Sequence, residues 1–226
     1  MTSFNSVCNE IIEVGREMYQ KGLIVGTDGN ISARLDDGSI AITGSGYCKG
    51  KLEPDNISVV NLKGDILFGP KPARDIRMHL AVYRTNEAAR AVVHAHPPVI
   101  TGFSATHYDF GNVLFPEALF NLNGIAFSDY AVPISVDVSR KVVDTLNRTP
   151  DSRAIVLANH GALTFGETVW QAFYEMETLE LLAKSTLIAK IIGNPHYLNA
   201  EELGVVRRLL AGVSPDEIVP PDKDGL

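Results

Sequence analysis

Apolar residues recur every three or four positions from residue 4 to 22, with Val7, Ile11, Ile12, Gly15, Met18 and Tyr19 on one face. That spacing predicts a helix, with Ser3 as its cap. Alternation then takes over. Residues 31–35 and 39–43 read as strands joined through Asp36-Asp37-Gly38, and 57–62 and 66–68 as a second hairpin through Lys63-Gly64-Asp65. Pro72 precedes a helical stretch over about 75–86, with Ile76, Leu80 and Tyr83 on its apolar face and Met78 beside it. Residues 91–96 form a buried strand stopped by Pro97-Pro98, and a helix is expected over 99–106. The pattern from 107 to 122 fits neither period. Residues 132–136 read as extended and 138–146 as helical. A second apolar strand, 153–159, ends at His160-Gly161, and 162–165 returns beside it. Helices over 167–192 and 200–210 follow, the first acid-rich at its start and with Lys184 and Lys190 late, which suits the helix dipole. Hairpins mixed with flanking helices predict a single α/β domain over 1–226, a sandwich with a mostly antiparallel central sheet. The charged, Pro-rich end from about 214 is expected to be mobile.

At 226 residues the chain is long enough to bury a core without staples. Its net charge of -7 would repel a polyanion, and the densest basic run, residues 71–77, is short and contains an Asp, so nucleic acid is excluded as a partner. Cys8 and Cys48 make neither a disulfide framework nor a CxxC clip, and Cys8 is expected to be buried in the first helix. No apolar run is long enough to span a membrane. The N-terminal residues carry acids where a secretory leader needs a basic start, so the expected location is the cytoplasm.

The strongest chemical signal is His94-Ala-His96. Side chains at i and i+2 of a strand share a face, so both imidazoles aim at one point. Alone, the pair stands evenly between half a metal shell and hydrogen-bonded structural histidines. His160, at the end of another apolar strand, adds a third imidazole. Three histidines with one open position are the arrangement of a catalytic zinc site. The turns Gly26-Thr27-Asp28-Gly29-Asn30 and Gly44-Ser45-Gly46 offer backbone N–H groups, with side-chain donors on Asn30 and Ser45, and such turns can cradle a phosphate or carboxylate. They are more often plain hairpin turns. Asp75, at the start of a helix, reads first as a helix-stabilising carboxylate and second as a general base. Arg74 reads as a solvated charge or as a grip on an anionic substrate. His79, one turn after Asp75, is expected to be packed or hydrogen-bonded. His107 and His196 have no supporting pattern, and Trp170 with the leucines of 167–192 reads as core or subunit contact.

The motifs GTDGNIS at 26–32, TGSG at 43–46, KPARDIRMHLAVY at 71–83, AVVHAHPP at 91–98 and LANHGAL at 157–163 together resemble the class II aldolase/adducin family, most of all its L-fuculose 1-phosphate aldolase branch. The resemblance runs from about residue 7 to 210. It implies a three-layer α/β/α fold and a homotetramer with the site near a subunit boundary. It implies zinc, or manganese or cobalt, on His94, His96 and His160. It gives Gly29, Asn30, Ser45 and Gly46 to the substrate phosphate, Arg74 to a substrate anion, and Asp75 to proton transfer. The implied activity is that of a metal-dependent lyase, with retro-aldol cleavage of a phosphorylated ketose to dihydroxyacetone phosphate and an aldehyde as the leading reading. Decarboxylation of a 3-oxo sugar-acid phosphate is the alternative, and Arg74 would suit its extra carboxylate. Epimerase and dehydratase members of the family are further options. A metal-free, adducin-like interaction domain is a third class, and it has no need of three histidines.

Three positions depart from the fuculose enzyme. Asp75 stands where the family has Glu, one methylene longer. Ala73-Arg74 replaces a pair of small hydroxyl residues that bind phosphate. Phe115 takes the place of a proton-donating tyrosine, with Glu117 and Tyr130 as nearby substitutes. The expected substrate is therefore not L-fuculose 1-phosphate itself.

Overall fold

The computed structural model describes residues 4–106 and 108–218. Ser3 and His107 lie outside the described residues, as does the expected mobile end beyond residue 218. Helix α1 (Phe4–Gln20) leads into two hairpins, β1 (Asn30–Arg34) with β2 (Ile40–Thr43) and β3 (Ile57–Val60) with β4 (Ile66–Phe68). Then come α2 (Ile76–Thr85), β5 (Ala91–Ala95), α3 (Pro98–Ser104), α4 (Glu117–Phe120), β6 (Ile125–Ser128), α5 (Val136–Arg148), β7 (Ala154–Leu157) and β8 (Gly161–Gly166). Helices α6 (Val169–Ile192), α7 (Ala200–Leu210) and α8 (Pro215–Ile218) complete the described chain.

Eight strands form one sheet in the order β4-β3-β2-β1-β5-β8-β7-β6, and all neighbours are antiparallel except β6 and β7. The mostly antiparallel sheet and its hairpins agree with the sequence reading. Helices cover both faces. Ala91, Val93 and Ala95 of β5 join Ile31 and Ala33 of β1 in a core with α1, α3 and α6. Val92 and Leu163 belong to the opposite core, under α2 and α5. A central strand covered on both sides has no solvated face, which is why residues 91–95 lack polar alternation and read as a continuous apolar run.

Two local expectations are corrected. Residues 132–136 alternate like a strand but form a turn. Ile134 has φ 70°, and Ser135 takes the N-cap position of α5. The strand of this region is β6, seven residues earlier. The face of α1 is also rotated from the expected one: Cys8 and Val14 are buried on it, whereas Tyr19 is 42% exposed. The expected burial of Cys8 holds.

Candidate active site

Four segments far apart in sequence meet above the centre of the sheet. Antiparallel pairing sets Asn30 of β1 beside His94 of β5, and His94 beside Leu163 of β8. His94 therefore points to the α2 side. His96 follows just past the end of β5, where Pro97 and Pro98 turn the chain into α3. That turn is anchored from the far side of the sheet, because the buried Glu180 of α6 accepts from Val99 N (3.2 Å) and Ile100 N (2.9 Å). His160 stands in the turn between β7 and β8, after Asn159 with φ 54°, a backbone region that Asn tolerates better than most residues. Glycine is required next, since a Cβ on Gly161 would lie 2.5 Å from both Ala95 O and His96 Cδ2.

These constraints bring the rings of His94, His96 and His160 within 4.8–5.1 Å of one another, centroid to centroid. One ligand nitrogen from each lies within 4.8 Å of the others. Nδ1 of His94 donates to the Ala162 carbonyl at 2.9 Å, which leaves Nε2 as a lone pair facing the centre. His94 Nε2 and His96 Nε2 are 3.1 Å apart. Two nitrogens at zinc–nitrogen distance on a tetrahedral ion would stand ~3.4 Å apart. Burial, with repulsion from its two neighbours, holds His94 well below the ordinary imidazole range, and burial likewise lowers His160. Neutral imidazoles are the form that ligates, so geometry and protonation both suit a divalent ion.

Asp75 occupies the N-cap position of α2 but makes no capping bond with its side chain. Its Oδ2 instead accepts from Asn30 Nδ2 at 3.3 Å. This fixes the rest of a buried chain of hydrogen bonds. With Nδ2 donating, Asn30 Oδ1 must accept, so His79 donates to it from Nε2 at 2.5 Å. His79 Nδ1 then accepts from Ser32 Oγ at 2.7 Å, and Ser32 Oγ accepts from Tyr83 OH at 2.8 Å. Burial pushes His79 down to about 3, so it stays neutral and keeps that tautomer. The expectation of a hydrogen-bonded His79 is met, and its partner is the residue that orients Asp75. In His79→Phe the Asn30 amide loses its fixed orientation. The expected result is a fall of about tenfold or more in turnover with metal content unchanged, read by kinetics beside metal analysis. Unaltered turnover would reduce His79 to a core residue.

A cleft of about 340 Å³ opens onto this group, lined by Gly29, Asn30, Ser45, Gly46, Arg74, Asp75, His96 and His160 among others. Every proposed site residue but the fully buried His94 lines it. Gly29 has φ 70°, and a Cβ there would meet His94 O at 2.9 Å, so the first turn must pass close over β5. Two donors assumed from sequence are partly committed. Asn30 retains one amide N–H beyond its bond to Asp75, and the Ser45 N–H is bonded to Lys71 O, which leaves its hydroxyl. Phe115, Glu117 and Tyr130 do not line the cleft: Phe115 packs against the core, Glu117 starts α4, and Tyr130 is 54% exposed. The residue that sequence reasoning missed is Lys49, which is buried and lines the cleft.

The profile of the Class II Aldolase and Adducin N-terminal domain matches residues 9–187. The chain belongs to the class II aldolase/adducin family. Over 207 residues it is 33% identical to 3-oxo-tetronate 4-phosphate decarboxylase of Escherichia coli strain K12, covering 89% of this chain and 95% of that one. Over 179 residues it is 34% identical to an L-fuculose phosphate aldolase of Methanococcus maripaludis strain S2, covering 79% and 95%. The crystal structure of YgbL from Escherichia coli superposes with a TM-score of 0.83 at 31% identity, covering 90% of this chain and 99% of that one. Class II aldolase relatives are enzymes, and the three-layer fold expected from the sequence motifs is theirs. Among the described residues no helix is long and apolar enough to cross a membrane.

Proposed function

We propose that this family member is a metal-dependent lyase that decarboxylates a 3-oxo sugar-acid phosphate of the 3-oxo-tetronate 4-phosphate type. The observation that carries the reading is the layout of the cleft. His96, His160 and Asp75 share one cleft with two glycine turns and Arg74, and His94 completes the imidazole cluster, so a cation site and several anion-binding groups face the same substrate space. Arg74 has no carboxylate within 4.0 Å among the described residues, which leaves its charge free for a substrate carboxylate. The decarboxylase relatives, matched over nearly their full length, support the same choice.

The bond order balances simply. The carbon–carbon bond to the carboxylate breaks, CO2 leaves, and the electron pair stays as the enolate of the 3-oxo group. Taking up one proton on carbon then gives dihydroxyacetone phosphate. A divalent ion held by His94, His96 and His160 would supply Lewis-acid stabilisation of the developing oxygen charge. Proton transfer is assigned to Asp75, a reading supported by the hydrogen bond through which Asn30 holds it. The Gly29, Ser45 and Gly46 turns take the phosphate and orient the reacting carbon away from it. We also assign zinc as the ion, with manganese or cobalt as alternatives, a homotetramer as the assembly, and the cytoplasm as the location.

Retro-aldol cleavage is the second reading, favoured by the L-fuculose phosphate aldolase relatives. It generates the same three-carbon enolate, with an aldehyde leaving in place of CO2. Product analysis separates the two. Metal-loaded protein given 3-oxo-tetronate 4-phosphate is expected to release CO2 and dihydroxyacetone phosphate in equal amounts, and a chelator should stop it. Aldehyde release from 1-phosphoketoses, with no CO2 from the sugar acid, would transfer the assignment to the aldolase. Neither product from either panel would sink both carbon–carbon cleavage readings.

A further inference from the structure

Lys49 lies in the turn after Gly46 and is 2% exposed, yet it contributes to the wall of the cleft. Its Nζ donates to Thr27 O at 2.6 Å and to Tyr47 O at 2.9 Å. Those carbonyls belong to the two glycine-bearing turns, so one ammonium ties both together. An ammonium has three N–H groups, and the third has no protein acceptor among the described residues. No carboxylate among them lies within 4.0 Å of Nζ either. Burial lowers its basicity, Asp28 and Asp75 act against that from beyond ion-pair distance, and the Arg74 charge adds to the lowering.

The position is built rather than incidental. The turn is pressed against α1, where a Cβ on Gly15 would sit 2.7 Å from Lys49 O and one on Gly50 would sit 2.6 Å from the Tyr19 ring. Lys51, two residues on, is exposed. A buried cation without a counter-ion is costly, and an anion in the cleft would remove that cost.

We propose that Lys49 is the counter-charge of the phosphate cradle, a specificity-determining residue that selects a dianionic phosphate group while holding the two turns together. This rests on the cleft's being the phosphate site of the function proposed above. The probe is inorganic phosphate titrated into the metal-loaded full chain by calorimetry, with Lys49→Gln, Lys49→Arg and Lys49→Met compared. Gln keeps N–H donors for the carbonyls but removes the charge. The expected result is about tenfold or greater weakening of phosphate binding in Lys49→Gln and Lys49→Met, with Lys49→Arg within about threefold of the parent. If Lys49→Met does not fold, Gln against Arg decides. Phosphate binding by Lys49→Gln equal to the parent would overturn the proposal, leaving Lys49 as a turn staple. So would a parent that binds no phosphate at millimolar concentration. Normal, Lys49-dependent phosphate binding without CO2 or aldehyde release would reject the reaction and keep the anion site.

Discussion

Metal content is expected to fall to background in His94→Ala, and turnover with it by roughly 10³-fold or more. The size follows from position. His94 is fully buried, its Nδ1 is committed to Ala162 O, and its Nε2 lies 3.1 Å from that of His96. Its partners in the sheet, Asn30 and Leu163, are held in strand register, and neither carries an imidazole to replace it. The fold should survive, since both cores are assembled from other residues and the loss is one ring at their border. Metal analysis of purified protein with circular dichroism checks both halves. Wild-type occupancy in the variant would remove His94 from the ligand set.

Asp75→Asn should behave oppositely on metal and similarly on rate. The three imidazoles stay in place, so metal content should match the parent. Turnover should drop by about 10²–10⁴, the usual worth of a positioned proton-transfer group. An amide can still accept from Asn30 Nδ2 through its oxygen, so the geometry is largely conserved and the proton carrier is lost. That separation matters because Asp75 makes no capping bond, which weakens the simple helix-end explanation of its identity. Turnover within threefold of the parent, at full metal content, would return Asp75 to a structural role.

Much of this architecture could be read from local pattern. Strands β5 and β7 announce themselves by apolar runs and helix α6 by its length, and His94, His96 and His160 sit at or just past the ends of the two strands. What failed was local pattern without context. Val132-Pro133-Ile134-Ser135-Val136 alternates like a strand, but the chain turns at Ile134, with φ 70°, into the N-cap of α5. Strand β6 pairs instead through Ile125-Ala126-Phe127-Ser128, parallel to β7. Lys49 was invisible for a related reason. In Cys48-Lys49-Gly50-Lys51 nothing distinguishes the two lysines until α1 packs on the turn and buries one. The chain from Asp75 through Asn30, His79 and Ser32 to Tyr83 joins residues 45 to 51 apart, a separation that no short-range periodicity carries.

The pairing of β5 with β8 also bears on how the chain reaches its native state. His94 lies opposite Leu163 and faces α2, whereas Ala95 lies opposite Ala162 and faces α1 and α6. A slip of one residue between the strands would send His94 through to the wrong face. An ion that joins His94 to His160 therefore binds the correct alignment and ignores the shifted one. At a hundredfold excess over its Kd such an ion adds about 2.7 kcal/mol to the aligned state alone. Metal bound at the proposed site would thus favour the correct strand alignment, and chains refolded with a chelator present should return a smaller native fraction than chains refolded with zinc.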